Sequence, residues 1–243
     1  MKISLLATSL LGIGLTACVI SSQPVTFKPC EIMGDGYMIE IAVPQGNSEK
    51  AQNAIKGIRE ILVQSKLGRE VGLPSDGTLQ EVMEDYHKRY ERYARECAKQ
   101  SGMSPTCQLD ITSCFQNEAC VAFLVFDDIY YIGSPDYYKS IVRLSDGRLM
   151  PQQELLRISM SETLKLIEKH LTDNDMPVSM YGLEDGYWFT PSSEDSCRVM
   201  WVVSRGAWGE IKIPLSDVNP YLTEEGKKLF TAKSFDTSDE KDE

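Results

Sequence analysis

The chain predicts an α+β fold, an antiparallel sheet with two early helices packed on one face and short later helices. Apolar residues recur at helical spacing twice between residues 48 and 101. From Leu109 the period drops to two and stays there for about thirty residues, the alternation of half-buried strands. Helical patterns gather early and strand patterns late, which suits helices segregated to one face of an antiparallel sheet rather than an alternating parallel one.

In order along the chain, Tyr37 to Val43 alternates as a strand that Pro44, Gly46 and Asn47 stop. Ser48 caps a helix with Ala51, Ile55, Ile58, Ile61 and Leu62 on one face, and Gly68 and Gly72 end it. Thr78-x-x-Glu81 is a capping box that opens a long helix. Leu79, Val82, Met83, Tyr86, Tyr90, Tyr93 and Cys97 line one side of it, a tyrosine stripe expected to pack on the sheet rather than to serve as a ligand platform. A meander is expected at 109–115, 119–126, 128–133 and 138–144, with turns at Gly133-Ser134-Pro135-Asp136 and Ser145-Asp146-Gly147-Arg148. Helix returns at Pro151 to Leu156 and after Ser159-x-x-Glu162, a second capping box. Strands follow near 178–182, 186–190, 197–204 and 209–213, then a short helix after Thr223.

The 243 residues are 42% hydrophobic and 25% charged, ordinary globular values. A net charge of −11 disfavours nucleic acid and anionic lipid surfaces, both of which need a clustered basic face. Part of the acid excess sits in an apolar-poor end, 231–243, expected as a disordered acidic tail.

At the N-terminus Lys2 precedes an apolar run from Ile3 to Leu15, too short to span a bilayer, and Ser21, Ser22 and Gln23 follow without a stop-transfer pattern. Leu15-Thr16-Ala17-Cys18 resembles the lipobox of bacterial lipoproteins. The resemblance implies removal of residues 1–17, lipidation of Cys18 and attachment to the membrane through acyl chains, which anchor firmly when two or more are present. Val19 is not the aspartate of an inner-membrane retention signal, so the expected location is the outer membrane, facing the periplasm or the cell surface. The expected organisation is a signal peptide at 1–17, a lipidated terminus and tether at 18–34, one domain at 35–230 with lobes 35–106 and 107–230, and the tail.

Six of the seven cysteines remain after Cys18: Cys30, Cys97, Cys107, Cys114, Cys120 and Cys197. An even count in an exported chain suggests disulfides, although spacing alone leaves the connectivity open. Cys114 and Cys120 flank a short turn, and Cys97 and Cys107 flank a helix-to-strand connection. That leaves Cys30 with Cys197. No Cys-x-x-Cys occurs and His87 and His170 lie far apart, so neither a zinc site nor a cofactor is expected.

Two stretches carry a further resemblance. One is Tyr130-Tyr131-Ile132-Gly133 with Ile141-Val142-Arg143-Leu144-Ser145-Asp146-Gly147-Arg148-Leu149-Met150. The other is Asp185-Gly186-Tyr187-Trp188-Phe189-Thr190 with Gly206 to Asp217 and Pro220-Tyr221-Leu222. Together they resemble the RsiV-type extracytoplasmic domain, named after the anti-sigma-V factor, over residues 35–230. The resemblance implies a binding or sensing module rather than an enzyme, with a lysozyme-like hydrolase as one candidate partner. Where many members carry a glycine-rich segment with a histidine after the Tyr130 strand, the chain has Gly133-Ser134-Pro135-Asp136 and no histidine nearby, and it shows no sigma-binding or spanning segment, so an anti-sigma role is not expected.

Motifs for nucleophilic, phosphate-binding or metalloprotease chemistry are not seen. Two readings follow. The first is a lipid-anchored, non-enzymatic module for an envelope protein or glycan, with Trp188, Trp208 and Tyr187 as candidate contacts because aromatic faces stack on sugars. The alternative is a glycan-active hydrolase using paired carboxylates such as Asp127-Asp128 or Glu184-Asp185.

Overall fold

The computed structural model describes residues 23–74, 76–130, 135–173, 175–192, 195–204 and 207–235. The signal segment, Cys18, the turn at Gly133-Ser134, Gly206 and the tail from 236 lie outside the described residues.

β1 (Phe27–Gly34) pairs antiparallel with β2 (Tyr37–Pro44), from Phe27 opposite Pro44 to Gly34 opposite Tyr37. The expected tether at 18–34 is therefore strand from Phe27 onward. Its alternation is masked by Lys28, Pro29 and Glu31, residues tolerated because β1 is a sheet edge, where a proline forfeits no ladder bond. Three helices follow, α1 (Glu49–Gln64), α2 (Lys66–Val71) and α3 (Leu79–Ser101). They form a crossover that brings β3 (Thr106–Gln116) back beside β2 in parallel, Tyr37 opposite Cys107 and Ile41 opposite Ile111. β4 (Cys120–Tyr130) and β5 (Asp136–Arg143) add antiparallel pairs, giving the order β1-β2-β3-β4-β5. The sheet is thus mixed rather than antiparallel, and it takes strands from both expected lobes. The expected strands 119–126 and 128–133 are the single strand β4. Asp127, which reads as a turn residue, is buried mid-strand and accepts from the Lys66 backbone N–H at 2.6 Å.

The helix starts are as the sequence predicts. Ser48 accepts from Ala51 N at 3.2 Å, and the capping boxes at Thr78–Glu81 and Ser159–Glu162 are both closed. α1 ends early, at Gln64, because Ser65 caps a new helix, α2. Gly68 permits that break: a Cβ there would lie 2.1 Å from the Leu62 carbonyl oxygen. The helices cover one face of the sheet, with Ile58, Ile61 and Leu62 of α1 and Val82 and Tyr86 of α3 packed in one core with Ile39, Ile41, Leu109, Ile111 and Phe123. The tyrosine stripe is core: Tyr86 and Tyr90 are buried, and the Tyr90 hydroxyl reaches the carbonyls of Gly36 and Pro105 at 2.8 and 2.6 Å.

A second core lies on the opposite face, over the β4–β5 end. It holds α4 (Gln152–Leu155), α5 (Met160–Glu168), α6 (Met180–Asp185), α7 (Leu215–Val218) and α8 (Glu224–Phe230) around an antiparallel sheet of β6 (Tyr187–Pro191), β7 (Ser196–Ser204) and β8 (Ala207–Pro214). Cys120, Ala122 and Ile141 of the large sheet pack with Phe189, Val199, Trp201 and Ile213 of the small one. The expected strand at 178–182 is instead the start of α6, where the Ser179 hydroxyl accepts from Gly182 N and competes with extension. Residues 231–235 of the expected tail belong to the fold: the Lys233 carbonyl accepts from Glu118 N at 3.0 Å and Ser234 bridges to Asn117. The molecule is therefore mixed α and β, and among the described residues no helix is long and apolar enough to cross a membrane.

Candidate functional site

Strand alternation sends Leu109, Ile111 and Val125 toward the helices and Gln108, Asp110, Thr112, Leu124 and Phe126 to the other face. The second core covers that face only in part. Beyond it a shallow groove of about 310 Å³ stays open, lined by those five residues and Tyr137 of β5. Phe126 and Tyr137 are register partners with ring centroids 4.7 Å apart, and Trp208 of β8 continues the row at 4.2 Å from Tyr137. Gln108 donates to Asp110 Oδ2 at 2.8 Å, whereas Asp110 Oδ1 has no partner among the described residues and is shut off from water. Burial pushes the Asp110 carboxyl above its ordinary range, with the Gln108 hydrogen bond opposing. Tyr137 is raised by burial and then by the carboxylates of Asp110 and Asp128. The groove thus offers aromatic rings, the amide of Gln108 and the hydroxyls of Thr112 and Tyr137.

Of the three aromatic residues expected to bind, only Trp208 belongs to this row. Trp188 lines a separate cleft of about 730 Å³ between β5, α1 and the Asp146–Gln152 segment. There Gln152 Oε1 accepts from Phe189 N at 3.0 Å, which leaves its Nε2 buried without a partner. Tyr187 meets the Phe189 ring edge-on at 6.2 Å. Trp201 is core, fully buried with its indole N–H on the Pro177 carbonyl at 3.0 Å.

A buried ion pair borders the Trp188 cleft. Lys139 of β5, with 3% of its side chain exposed, is paired with Glu210 of β8, which also holds Arg198 at 2.6 Å. Glu210 is held below the ordinary carboxylate range by the positive charge of Lys139 and the hydrogen bonds from Lys139 and Arg198, which outweigh the opposing effect of burial.

Neither expected carboxylate pair faces across a cleft. Asp127 points into the helix side and Asp128 to the groove side, as successive residues of one strand must, while Glu184 and Asp185 sit exposed in the last turn of α6. Asp110 and Asp128, diagonal neighbours on β3 and β4, do share a face. The histidines are apart: His87 meets the Tyr37 hydroxyl, and His170 lies 2.7 Å from Asp217.

All six cysteines outside the N-terminal segment are free thiols, so the expected pairings are not formed. Cys30 belongs with the helix-side core and Cys197 with the second one. Cys114 falls in a bulge between Ser113 and Phe115, where its thiol donates to the Ala122 carbonyl at 3.4 Å and no longer stands opposite Cys120. Cys107 is buried among the tyrosines, and its thiol is pushed up to about 12 by burial.

Gln108, Asp110, Thr112, Phe126 and Tyr137 were not singled out by sequence. Their alternation was visible in it, but which face stays open depends on where the second core lands.

No known protein family matches the chain by sequence, and no curated protein sequence does. Solved structures do match. A member of the DUF3298 family from Bacteroides fragilis NCTC 9343 superposes with a TM-score of 0.52 at 12% identity, over 84% of this chain and 95% of that one. A DUF3298 family protein from Pseudomonas aeruginosa PAO1 gives 0.46 at 12% identity, over 84% and 96%. At 12% identity, what this chain shares with the Bacteroides fragilis protein is its fold.

Proposed function

We propose that the protein is a lipid-anchored envelope module that binds a glycan without transforming it, along the row Phe126–Tyr137–Trp208. The carrying observation is the row itself, three rings in sequence along an open groove. Aromatic rings take the apolar side of a pyranose, and the polar side chains of Gln108 and Thr112 beside them can hydrogen-bond its hydroxyls. Support for the envelope comes from the lipobox-like Leu15-Thr16-Ala17-Cys18.

The test is titration of the purified protein with β-1,4-linked N-acetylglucosamine tetramers, read by tryptophan fluorescence, with a lysozyme as the protein arm. Saturable quenching that Trp208→Ala removes and Trp188→Ala retains supports the reading. Saturation by lysozyme alone moves the ligand from glycan to basic protein, and saturation by neither overturns the binding role.

Hydrolysis is the second reading, and its carboxylates change. The observation favouring it is that Asp110 and Asp128, diagonal neighbours across β3 and β4, put two carboxyl groups on one face of the sheet, as a pair of catalytic carboxylates requires. Asp110, raised by burial, would be the acid. Release of shorter oligomers by the wild-type chain, lost in both Asp110→Asn and Asp128→Asn, would establish it.

A further inference from the structure

The five-stranded sheet is wider than its helical layer. α1 packs on β2 and β5 and α2 on β4, while no described helix packs closely on the edge strand β1. The helix-facing residues of that edge, Cys30 and Ile32, are only half-buried, as are Val43 of β2 and Ile55 of α1. Together with Leu79 and Met83 of α3 they floor a groove of about 980 Å³, with Met33 at its mouth 70% exposed. An apolar groove of this size would be hydrated at a cost roughly proportional to its area, so it favours an apolar occupant.

One wall carries charge. Lys56 and Arg59 are three residues apart on α1 and both line the groove, against a single carboxylate, Glu84 of α3. One Arg59 nitrogen donates to the Gly77 carbonyl, a neutral oxygen, and among the described residues no carboxylate pairs with its guanidinium, whereas Lys56 turns its Nζ out of the groove to the Asp146 carbonyl at 2.8 Å, beside the carboxylate of the same residue. Arg59 is therefore the cation that the groove offers to a ligand.

We infer that this groove binds a long-chain fatty acid, its hydrocarbon chain along Ile32, Val43, Ile55 and Met83 and its carboxylate at Arg59. Chain length answers the apolar floor, and the guanidinium fork matches a planar carboxylate. The site lies on the helix side of the sheet, away from the aromatic row, and rests on none of the glycan reading.

Displacement of cis-parinaric acid from the purified full chain tests it. Palmitate is expected to displace the fluorophore at one site per chain, and Met33→Glu and Ile55→Glu each to weaken it at least tenfold. Met33 is exposed, so its substitution leaves the fold intact even if Ile55→Glu does not. Arg59→Gln is expected to weaken palmitate about tenfold while leaving competition by 1-hexadecanol unchanged, a split that a merely structural arginine would not produce. Absence of saturable binding overturns the inference, as does an equal loss for acid and alcohol in Arg59→Gln. Binding of lysophosphatidate tenfold tighter than palmitate overturns the carboxylate assignment, and a groove already filled in the lipidated chain but open after Cys18→Ala gives the site to the protein's own acyl group instead.

Discussion

The ring of Trp208 lies 4.2 Å from that of Tyr137, centroid to centroid and tilted by 33°, and this contact joins the small sheet to the large one. Two strands remote in sequence, β5 and β8, thereby extend the aromatic surface begun by Phe126. The buried Lys139–Glu210 pair links the same two strands.

Position decides what each tryptophan does. Trp201→Ala should destabilise the fold by about 3–5 kcal/mol, the usual cost of emptying a buried aromatic site. Trp208→Ala, at a half-buried position, should cost under about 2 kcal/mol. Urea unfolding of the two variants checks the difference, and equal losses would remove the distinction between core and surface ring.

Removing Lys139 leaves Glu210 short of its buried partner. Lys139→Met should destabilise by about 3–5 kcal/mol, and Lys139→Met with Glu210→Gln by less, because the pair is worth less than the cost of leaving one charge unpaired. A double-mutant cycle by chemical denaturation measures the coupling. Additive losses would contradict it.

Two aspartates should give opposite pH signatures. Hydrogen bonds from Arg143 hold Asp146 at about 2, so its contribution to stability is present above the ordinary carboxylate value and fades as pH falls from about 4 toward 2. Asp110 is raised, so the folded state takes its proton more readily than the unfolded chain, and its contribution is present in acid and lost as pH rises through the raised value. Asp146→Asn should therefore flatten the acid limb of a melting-temperature profile, while Asp110→Asn should raise stability at neutral pH. Thermal unfolding from pH 2 to 8 reads both.

The thiols should divide by burial. Cys107, Cys120 and Cys197 are buried, each with its thiol pushed up to about 12, and should resist a charged disulfide reagent until the chain unfolds. Cys30, Cys97 and Cys114 are accessible and should react in the native protein. Intact mass under non-reducing conditions provides the check, since each disulfide would lower it by two hydrogens.

Gly57 offers a case where propensity and packing disagree. Alanine normally favours a helix interior over glycine by about 1 kcal/mol. At Gly57 of α1 a Cβ would lie 2.3 Å from a Val142 methyl of β5, and overpacking of that kind costs about 1–3 kcal/mol. Gly57→Ala should destabilise, and Gly57→Ala with Val142→Ala should recover part of the loss.

Local chemistry in the sequence determined much of this protein. The capping residues Ser48, Thr78 and Ser159 start their helices as read, since the side-chain acceptor and the backbone donor it serves lie within three residues. The apolar stripe of α3 and the alternation of β3 and β4 are equally local, so the helix face and the strand faces were legible. Only the tertiary structure decided which strands are neighbours. Parallel pairing of β2 with β3 spans three helices, and the burial of Asp127 depends on a backbone N–H supplied by Lys66, 61 residues earlier. Both apolar and polar faces of a strand look the same in sequence whether or not a second layer lies over them. The groove with Asp110, Phe126 and Tyr137, the division of Trp188, Trp201 and Trp208 among cleft, core and row, and the failure of the cysteines to meet all follow from where the second core docks, a contact between residues distant along the chain.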